Sequence, residues 1–380
     1  MKKILIFSLA YHPFVGGAEI AIKEITDRLL DNEYYLITNK FNKDWLGEEK
    51  IGNIKVIRVG KGKKIDKYLY PLRAVIRAIN LNKLVKFDFT WSMMAFYAGL
   101  ASLFFKYKTK VPYLLTLQSG DSDKFLRKRT WFWSYYYKKI YKQAKLTQVI
   151  SKFLGKRSRK MGNKGEIVLV PNGVDLNIFK LSLSVEEKDK LKKELNINQD
   201  EVVLITTSRL VLKNGLEYLI KSLNFLLYKS GLRVKLLIIG TGPEEDKLKT
   251  LGERLGVSEA ILFLGFKEYK ELPKYVEMAD IFIRPSLSEG FGNSFVEAMA
   301  VNTPIIGTEV GGIPDFLKEG ETGLFCKVKD NISIAQAIEI YVCDKGLYER
   351  IQKKGRELVL EKYSWDIIVK KMKKVFNKLN

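Results

Sequence analysis

The chain has 380 residues, 46% of them hydrophobic, and its 66 Lys and Arg against 43 Asp and Glu give a net charge of +23. At roughly 150 residues per domain this length gives two or three domains with ample cores, and the composition is that of a globular chain. Two cysteines, Cys326 and Cys343, exclude a disulfide framework and fit a reducing compartment, and a lone histidine, His12, argues against a His-ligated metal site or a Ser-His triad.

The positive charge is unevenly placed. Residues 51–164 hold 27 Lys and Arg against 4 Asp and Glu, the whole of the excess, while elsewhere 39 of each sign cancel. A field of this kind attracts polyanions.

In chain order, residues 3–9 read as a buried strand. The apolar run is short, and His12-Pro13 follows it instead of a small-residue cleavage site, which argues against a signal peptide. Gly16 and Gly17 lie in the next loop, and residues 18–30 read as a helix with Ile22, Ile25 and Leu29 on one face. A strand, glycine loop and helix in that order present backbone N–H groups to a phosphate; the alternative is a plain tight turn. Residues 34–38, 54–59 and 113–117 read as further strands. The longest uncharged run, residues 89–105, is 17 residues and falls short of the ~20 that span a bilayer, so it is expected to be a buried helix. Residues 124–142 interleave aromatic and cationic side chains around one expected helix. That composition suits an anionic membrane surface, where Trp and Tyr prefer the boundary and Lys and Arg meet lipid charge. Single-stranded nucleic acid is the other partner such a stretch fits, but no nucleic-acid module accompanies it and none is expected to bind. Residues 168–175 form a strand ending in turn residues, and the polar segment 176–200 reads as a linker.

The second half alternates strands and helices: strands at 201–207, 234–240, 261–264, 281–284 and 303–307, with helices at 216–227, from 243, and at 272–279. This implies a parallel sheet covered on both faces, with ligands at the carboxyl ends of its strands. Several polar motifs lie there. After the strand at 281–284 come Glu289, Gly290, Phe291, Gly292, Asn293, Ser294 and Glu297. Gly290 and Gly292 let backbone approach a ligand, and a helix starting near Ser294 offers its positive end to phosphate. Phosphate repels carboxylate, so Glu289 and Glu297 fit acceptors of hydrogen bonds from sugar hydroxyls beside it. The S-x-x-E spacing of Ser294 and Glu297 is also that of a helix-capping box. Arg209 and Lys213 follow the strand at 201–207. Two fixed cations there would stabilise a departing diphosphate; the alternative is a pair of solvated surface charges.

The segment from Glu289 to Glu297 resembles the E-x7-E motif of the retaining, nucleotide-sugar-dependent glycosyltransferases of family 4. The Arg209-x3-Lys213 element matches that family too, and the resemblance runs over nearly the whole chain. It implies the α/β GT-B fold, two Rossmann-like doubly wound domains facing an interdomain cleft. They are expected at 1–178, joined by a closing helix at 363–380 that crosses back, and at 195–362. It implies that Arg209 and Lys213 hold the donor diphosphate and that Glu289 contacts the donor sugar. It assigns Glu297 to the ribose hydroxyls, and the backbone of Gly290, Phe291, Gly292, Asn293 and Ser294 to sugar and phosphate. By the same resemblance Gly16 and Gly17 lie close to the diphosphate and acceptor, and Phe266 and Lys267 border the nucleobase. Many members carry a histidine at the position of Gln118, near the reacting carbon; glutamine exchanges hydrogen bonds but not protons, which puts histidine-assisted catalysis in doubt. Asp121 and Asp123 form a D-x-D, a metal-binding signature of another glycosyltransferase fold, but Arg209 and Lys213 already supply counter-charge. No metal or cofactor is expected, and Asp121 is expected to cap its loop or contact the acceptor. The implied reaction moves a sugar from a UDP-sugar or GDP-mannose type of donor to a glycan or lipid-linked acceptor in cell-surface polysaccharide or glycolipid synthesis. The chain is expected in the cytoplasm, docked on the inner membrane face through residues 51–164. The alternatives are a GT-B sugar-nucleotide epimerase and a non-catalytic binder of anionic membrane or nucleic acid.

Overall fold

Runs of Ile, Leu, Val and Phe too short to make helices become buried strands, and the amphipathic segments between them become the covering helices. In the computed structural model, residues 1–14 and 16–379 are described, apart from the side chains of Asp123, Lys124 and Phe132. The chain divides into two compact units. One holds residues Met1–Gly173 and the closing segment from Trp365; the other is Val174–Ser364.

The first unit runs β1 (Lys2–Phe7), α1 (Gly17–Arg28), β2 (Asn32–Asn39), β3 (Glu48–Ile51), β4 (Ile54–Val59), α2 (Asp66–Val85), β5 (Phe89–Met93), α3 (Tyr97–Thr109), β6 (Tyr113–Leu117), α4 (Asp123–Thr130), α5 (Ser134–Gln143), β7 (Leu146–Val149), α6 (Lys152–Lys160) and β8 (Glu166–Leu169). Its sheet has the order β3-β4-β2-β1-β5-β6-β7-β8, with every pair parallel except β3–β4. The order reverses between β1 and β5, where a crevice opens at the carboxyl ends of the strands.

Two expectations in this unit are corrected. Residues 89–105 are not one helix: the first five form β5 in the middle of the sheet, buried on both faces. An uncharged run buried all round has no periodicity to separate strand from helix. Residues 124–142 are not one helix either. α4 and α5 are separated by a 3-10 turn at Trp131–Trp133, where three bulky aromatics, poor helix formers, follow one another. Among the described residues, no helix is long and apolar enough to cross a membrane.

The second unit runs α7 (Val185–Glu194), β9 (Val202–Thr207), α8 (Leu216–Tyr228), β10 (Val234–Ile239), α9 (Glu245–Arg254), β11 (Ile261–Gly265), α10 (Leu272–Met278), β12 (Ile281–Arg284), α11 (Asn293–Ala300), β13 (Ile305–Thr308), β14 (Leu324–Cys326), α12 (Asn331–Cys343) and α13 (Lys345–Lys362). Its sheet is parallel throughout, in the order β11-β10-β9-β12-β13-β14, and the order reverses between β9 and β12. The segment expected as a linker carries α7, opened by a capping box between Ser184 and Glu187. The backbone N–H groups of Ser182 and Leu183 donate to the buried carboxylate of Glu277, which ties the stretch before α7 to this unit.

After Tyr363 the chain returns to the first unit as α14 (Trp365–Asn377). Trp365, Ile368, Met372 and Phe376 enter the core that holds Ile4, Ile22, Phe89 and Trp91. The Phe376 ring lies 5.3 Å from Trp91.

Candidate active site

In the second unit the motif residues gather on the two sides of the sheet's switch point. Arg209 follows β9, and Lys213 lies in a 3-10 turn, Leu212–Asn214, just beyond it. Both side chains are exposed. The turn is braced from within: Asn214 is buried and its Nδ2 donates to the Arg209 carbonyl at 2.6 Å. It is also stitched to the loop after β12, because Leu287 N–H donates to the Lys213 carbonyl at 2.7 Å. Gly215, at φ +70°, permits this approach; a Cβ there would sit 2.0 Å from the Pro285 carbonyl oxygen.

Beyond β12 the chain passes Glu289, Gly290, Phe291 and Gly292 and enters α11. Gly292 caps the helix at φ +108°, and no side chain caps the first N–H groups. The capping box expected of Ser294 and Glu297 is therefore absent: Ser294 is the second helical residue, and Glu297 lies in the second turn. Both side chains are engaged elsewhere, Ser294 Oγ accepting from Arg284 Nη1 at 2.7 Å and Glu297 Oε1 from the Tyr269 hydroxyl at 3.2 Å. Phe295 N–H donates to the Gly292 carbonyl at 3.0 Å, and with no side-chain cap the positive end of the α11 dipole faces the glycine loop, an environment that favours an anion. Phe291 is 1% exposed and its ring packs on Phe316 and Tyr363, so the side chain belongs to the core and is closed to a ligand.

Glu289 and Glu297 stand in different surroundings. Glu289 Oε1 accepts from Gly290 N–H at 2.9 Å and its Oε2 accepts from Arg284 Nη2 at 2.7 Å. Glu297 is buried, and burial pushes its pKa up to about 7 against the opposing effects of the Tyr269 hydrogen bond and the Arg284 charge. Arg284 was not among the residues singled out from sequence. The signal was there, a cation ending the strand Ile-Phe-Ile-Arg, but it reads as a strand terminus until its partners are seen. Phe266, 67% exposed, and half-buried Lys267 follow β11, at the outer edge of the same sheet.

In the first unit Gly16 is the N-cap of α1 and Gly17 its first residue. A cavity of about 280 Å³ opens at the carboxyl ends of β1, β5 and β6. Its lining includes Glu19, Phe96, Gln118, Asp121, Arg129 and Tyr137. Burial raises the Glu19 carboxyl above its ordinary pKa. Gln118 Oε1 accepts from Asn172 Nδ2 at 3.3 Å, and Asp121 Oδ2 accepts from Ser119 Oγ at 2.8 Å. The Asp123 side chain of the D-x-D lies outside the described residues. Among the described residues, no group of three or more His, Cys, Asp or Glu side chains is placed to hold a metal. His12 is exposed, and its carbonyl accepts from Arg58.

The sequence itself confirms the family this geometry suggests. Residues 15–178 match the model described as Glycosyltransferase Family 4, and residues 187–358 match that described as Glycosyl transferases group 1, so the two span most of the chain. The chain belongs to the group 1, family 4 glycosyltransferases. Similar glycosyltransferases include an uncharacterized one from Methanocaldococcus jannaschii, 34% identical over 56% of this chain and 54% of the relative, so that match spans about half of either protein. Over a longer stretch, 89% of this chain and 89% of the relative, the chain is 29% identical to the alpha-monoglucosyldiacylglycerol synthase of Acholeplasma laidlawii. Among solved glycosyltransferase-fold structures, Anabaena HepE in complex with UDP and glucose matches with a TM-score of 0.82, covering 99% of this chain and 100% of that one at 19% identity. At that identity the likeness establishes the fold, GT-B. Nucleotide sugars are the donors of this glycosyltransferase family.

Proposed function

We propose that this glycosyltransferase moves a sugar, with retention of anomeric configuration, from a UDP- or GDP-linked donor to a glycan or lipid-linked acceptor in the synthesis of cell-surface polysaccharide or glycolipid. One observation carries the reading: Arg209, Lys213, Glu289 and the start of α11 share the switch point between β9 and β12, with their loops bonded to each other. In the reaction, the bond from the anomeric carbon to the diphosphate oxygen breaks and a bond to the acceptor hydroxyl oxygen forms. The acceptor proton passes to the departing phosphate on the same face, so no protein base is required. Charge grows on the diphosphate as it leaves, and Arg209, Lys213 and the helix N–H groups offset it in place of a metal ion. Glu289 takes hydroxyls of the donor sugar and Glu297 those of the ribose. By the family resemblance, Gly16 and Gly17 are assigned to the donor diphosphate and Gln118 to the reacting carbon; Asp121 is assigned to the acceptor. The HepE complex with UDP and glucose supports a UDP-linked donor, and the name of the Acholeplasma relative supports a lipid acceptor.

The protein on this reading works in the cytoplasm, docked on an anionic membrane through residues 51–164. Two exposed patches support that. Tyr68, Leu72 and Ile76 line the outer face of α2, just after the exposed Ile65 at its N-cap and the exposed Lys61, Lys63 and Lys64. Trp131 is 78% exposed and Tyr135 63%, among the cations of α4 and α5.

The test of the enzymatic reading is a panel of UDP- and GDP-sugars, scored for hydrolysis and for transfer to lipid and sugar acceptors, with calorimetry for UDP and GDP. Release of nucleoside diphosphate from one donor is expected. A protein that binds neither nucleotide and turns over no donor would sink the reading.

A further inference from the structure

Arg284 ends a strand whose other residues are Ile, Phe and Ile, and it is 7% exposed. Its guanidinium lies 4.8 Å from the centre of the Phe295 ring. One terminal nitrogen donates to Ser294 Oγ and the other to Glu289 Oε2, both at 2.7 Å. The same charge favours the ionised form of Glu297. One buried cation thus serves both carboxylates of the E-x7-E segment and joins the two ends of the glycine loop between them.

Stability alone is a poor reason for this arrangement. A buried ion pair rarely outperforms apolar residues of similar size, because two charges must leave water. An apolar side chain would continue the strand's pattern, and a cation close to a helix N-terminus also opposes the helix dipole. What the planar guanidinium adds is geometry. It reaches a hydroxyl and a carboxylate at once, which a lysine ammonium on a flexible stem cannot do with the same definition.

We infer that Arg284 is a positioning residue for sugar transfer: it holds Glu289 in one orientation at the mouth of the glycine loop so that the carboxylate meets the donor sugar already aligned. This rests on the glycosyl-transfer reading above. Glu289 Oε2 is held by Arg284 and Oε1 by Gly290 N–H, and each oxygen keeps a lone pair for a sugar hydroxyl. A carboxylate free to rotate would have to be ordered in every turnover, and misplacement by an ångström costs rate steeply.

The full-length protein, Arg284→Gln, Arg284→Lys, Glu289→Gln and the Arg284→Gln/Glu289→Gln double variant are compared in two measurements. One is kcat and KM with the nucleotide sugar that the wild type turns over; the other is affinity for the free nucleoside diphosphate, which lacks the sugar. Arg284→Gln should lower kcat about 100-fold and Arg284→Lys about 10-fold, with nucleoside diphosphate affinity, measured at a pH well above 7 where Glu297 is ionised in every variant, held within about twofold. The double variant should be no slower than Glu289→Gln, because Arg284 acts through that carboxylate. Wild-type turnover in Arg284→Gln, a loss that adds fully to that of Glu289→Gln, or a collapse of diphosphate affinity alongside activity would each overturn the inference and leave the glycosyl-transfer reading intact. A wild type that neither binds nor turns over a nucleotide sugar would overturn that reading, and this inference with it.

Discussion

Tyr269 donates its phenolic hydrogen to Glu297 Oε1 across 3.2 Å, so the loop after β11 reaches a carboxylate in the second turn of α11. The bond favours the ionised form, while burial opposes it and leaves the pKa at about 7, up from 4.5. A carboxylate that accepts from ribose hydroxyls is most effective when ionised, so nucleotide affinity should rise as pH increases through about 7. Glu297→Gln should flatten that profile, and Tyr269→Phe should move it to higher pH. Stability should respond in the opposite sense. The folded protein holds this proton more tightly than the unfolded chain between about pH 4.5 and 7. Stability should therefore fall across that window, by on the order of 3 kcal/mol, and the Gln variant should lose this slope. Calorimetric titration and urea unfolding from pH 5 to 8 measure both effects.

Arg209 and Lys213 are exposed cations whose side chains support little of the fold. Arg209→Ala and Lys213→Ala should each slow turnover about 100-fold or more while Tm shifts by a degree or two. Glu289→Gln belongs in the same series. Glu289→Ala is the poorer choice, since it leaves buried Arg284 without its carboxylate and costs stability of about 3 kcal/mol. Steady-state kinetics beside thermal melts separate the cases, and unchanged kcat in both cation variants would contradict the assignment.

Gly215 keeps the loop carrying Lys213 against the loop carrying Glu289. Gly215→Ala puts a methyl group 2.0 Å from the Pro285 carbonyl and strains a backbone at φ +70°. A loss of stability of about 2 kcal/mol or more is expected, with a fall in turnover greater than stability alone explains. A variant with wild-type Tm and kcat would show that the two loops need not touch.

The outer face of α2 carries Tyr68, Leu72 and Ile76, all exposed. If it sits on lipid, Leu72→Glu together with Ile76→Glu should weaken binding to anionic vesicles about tenfold and leave turnover of a soluble donor by hydrolysis unchanged. Vesicle sedimentation should also show affinity rising with anionic lipid content and falling with salt. Salt-insensitive or absent binding would remove the membrane claim.

Composition and periodicity alone determined the alternation of strands and helices in the second unit, the strands at 54–59, 113–117 and 281–284, and the placing of Arg209, Lys213 and Glu289 just after strands. These are local properties: an apolar run bounded by glycine or a polar turn states its own conformation. Tertiary structure decided what depends on neighbours distant in sequence. Phe89–Met93 became a strand because β1 and β6 pair with it on either side. Ser294 and Glu297 have capping-box spacing but were drawn off by Arg284 and Tyr269, while the same spacing at Ser184 and Glu187 made the box. Arg284 gained its place only when β12 set its guanidinium between Glu289 and Ser294. A spacing states which partners a side chain can reach along its own helix or strand; burial decides which partner it takes, since a polar group removed from water bonds to whatever packing brings close.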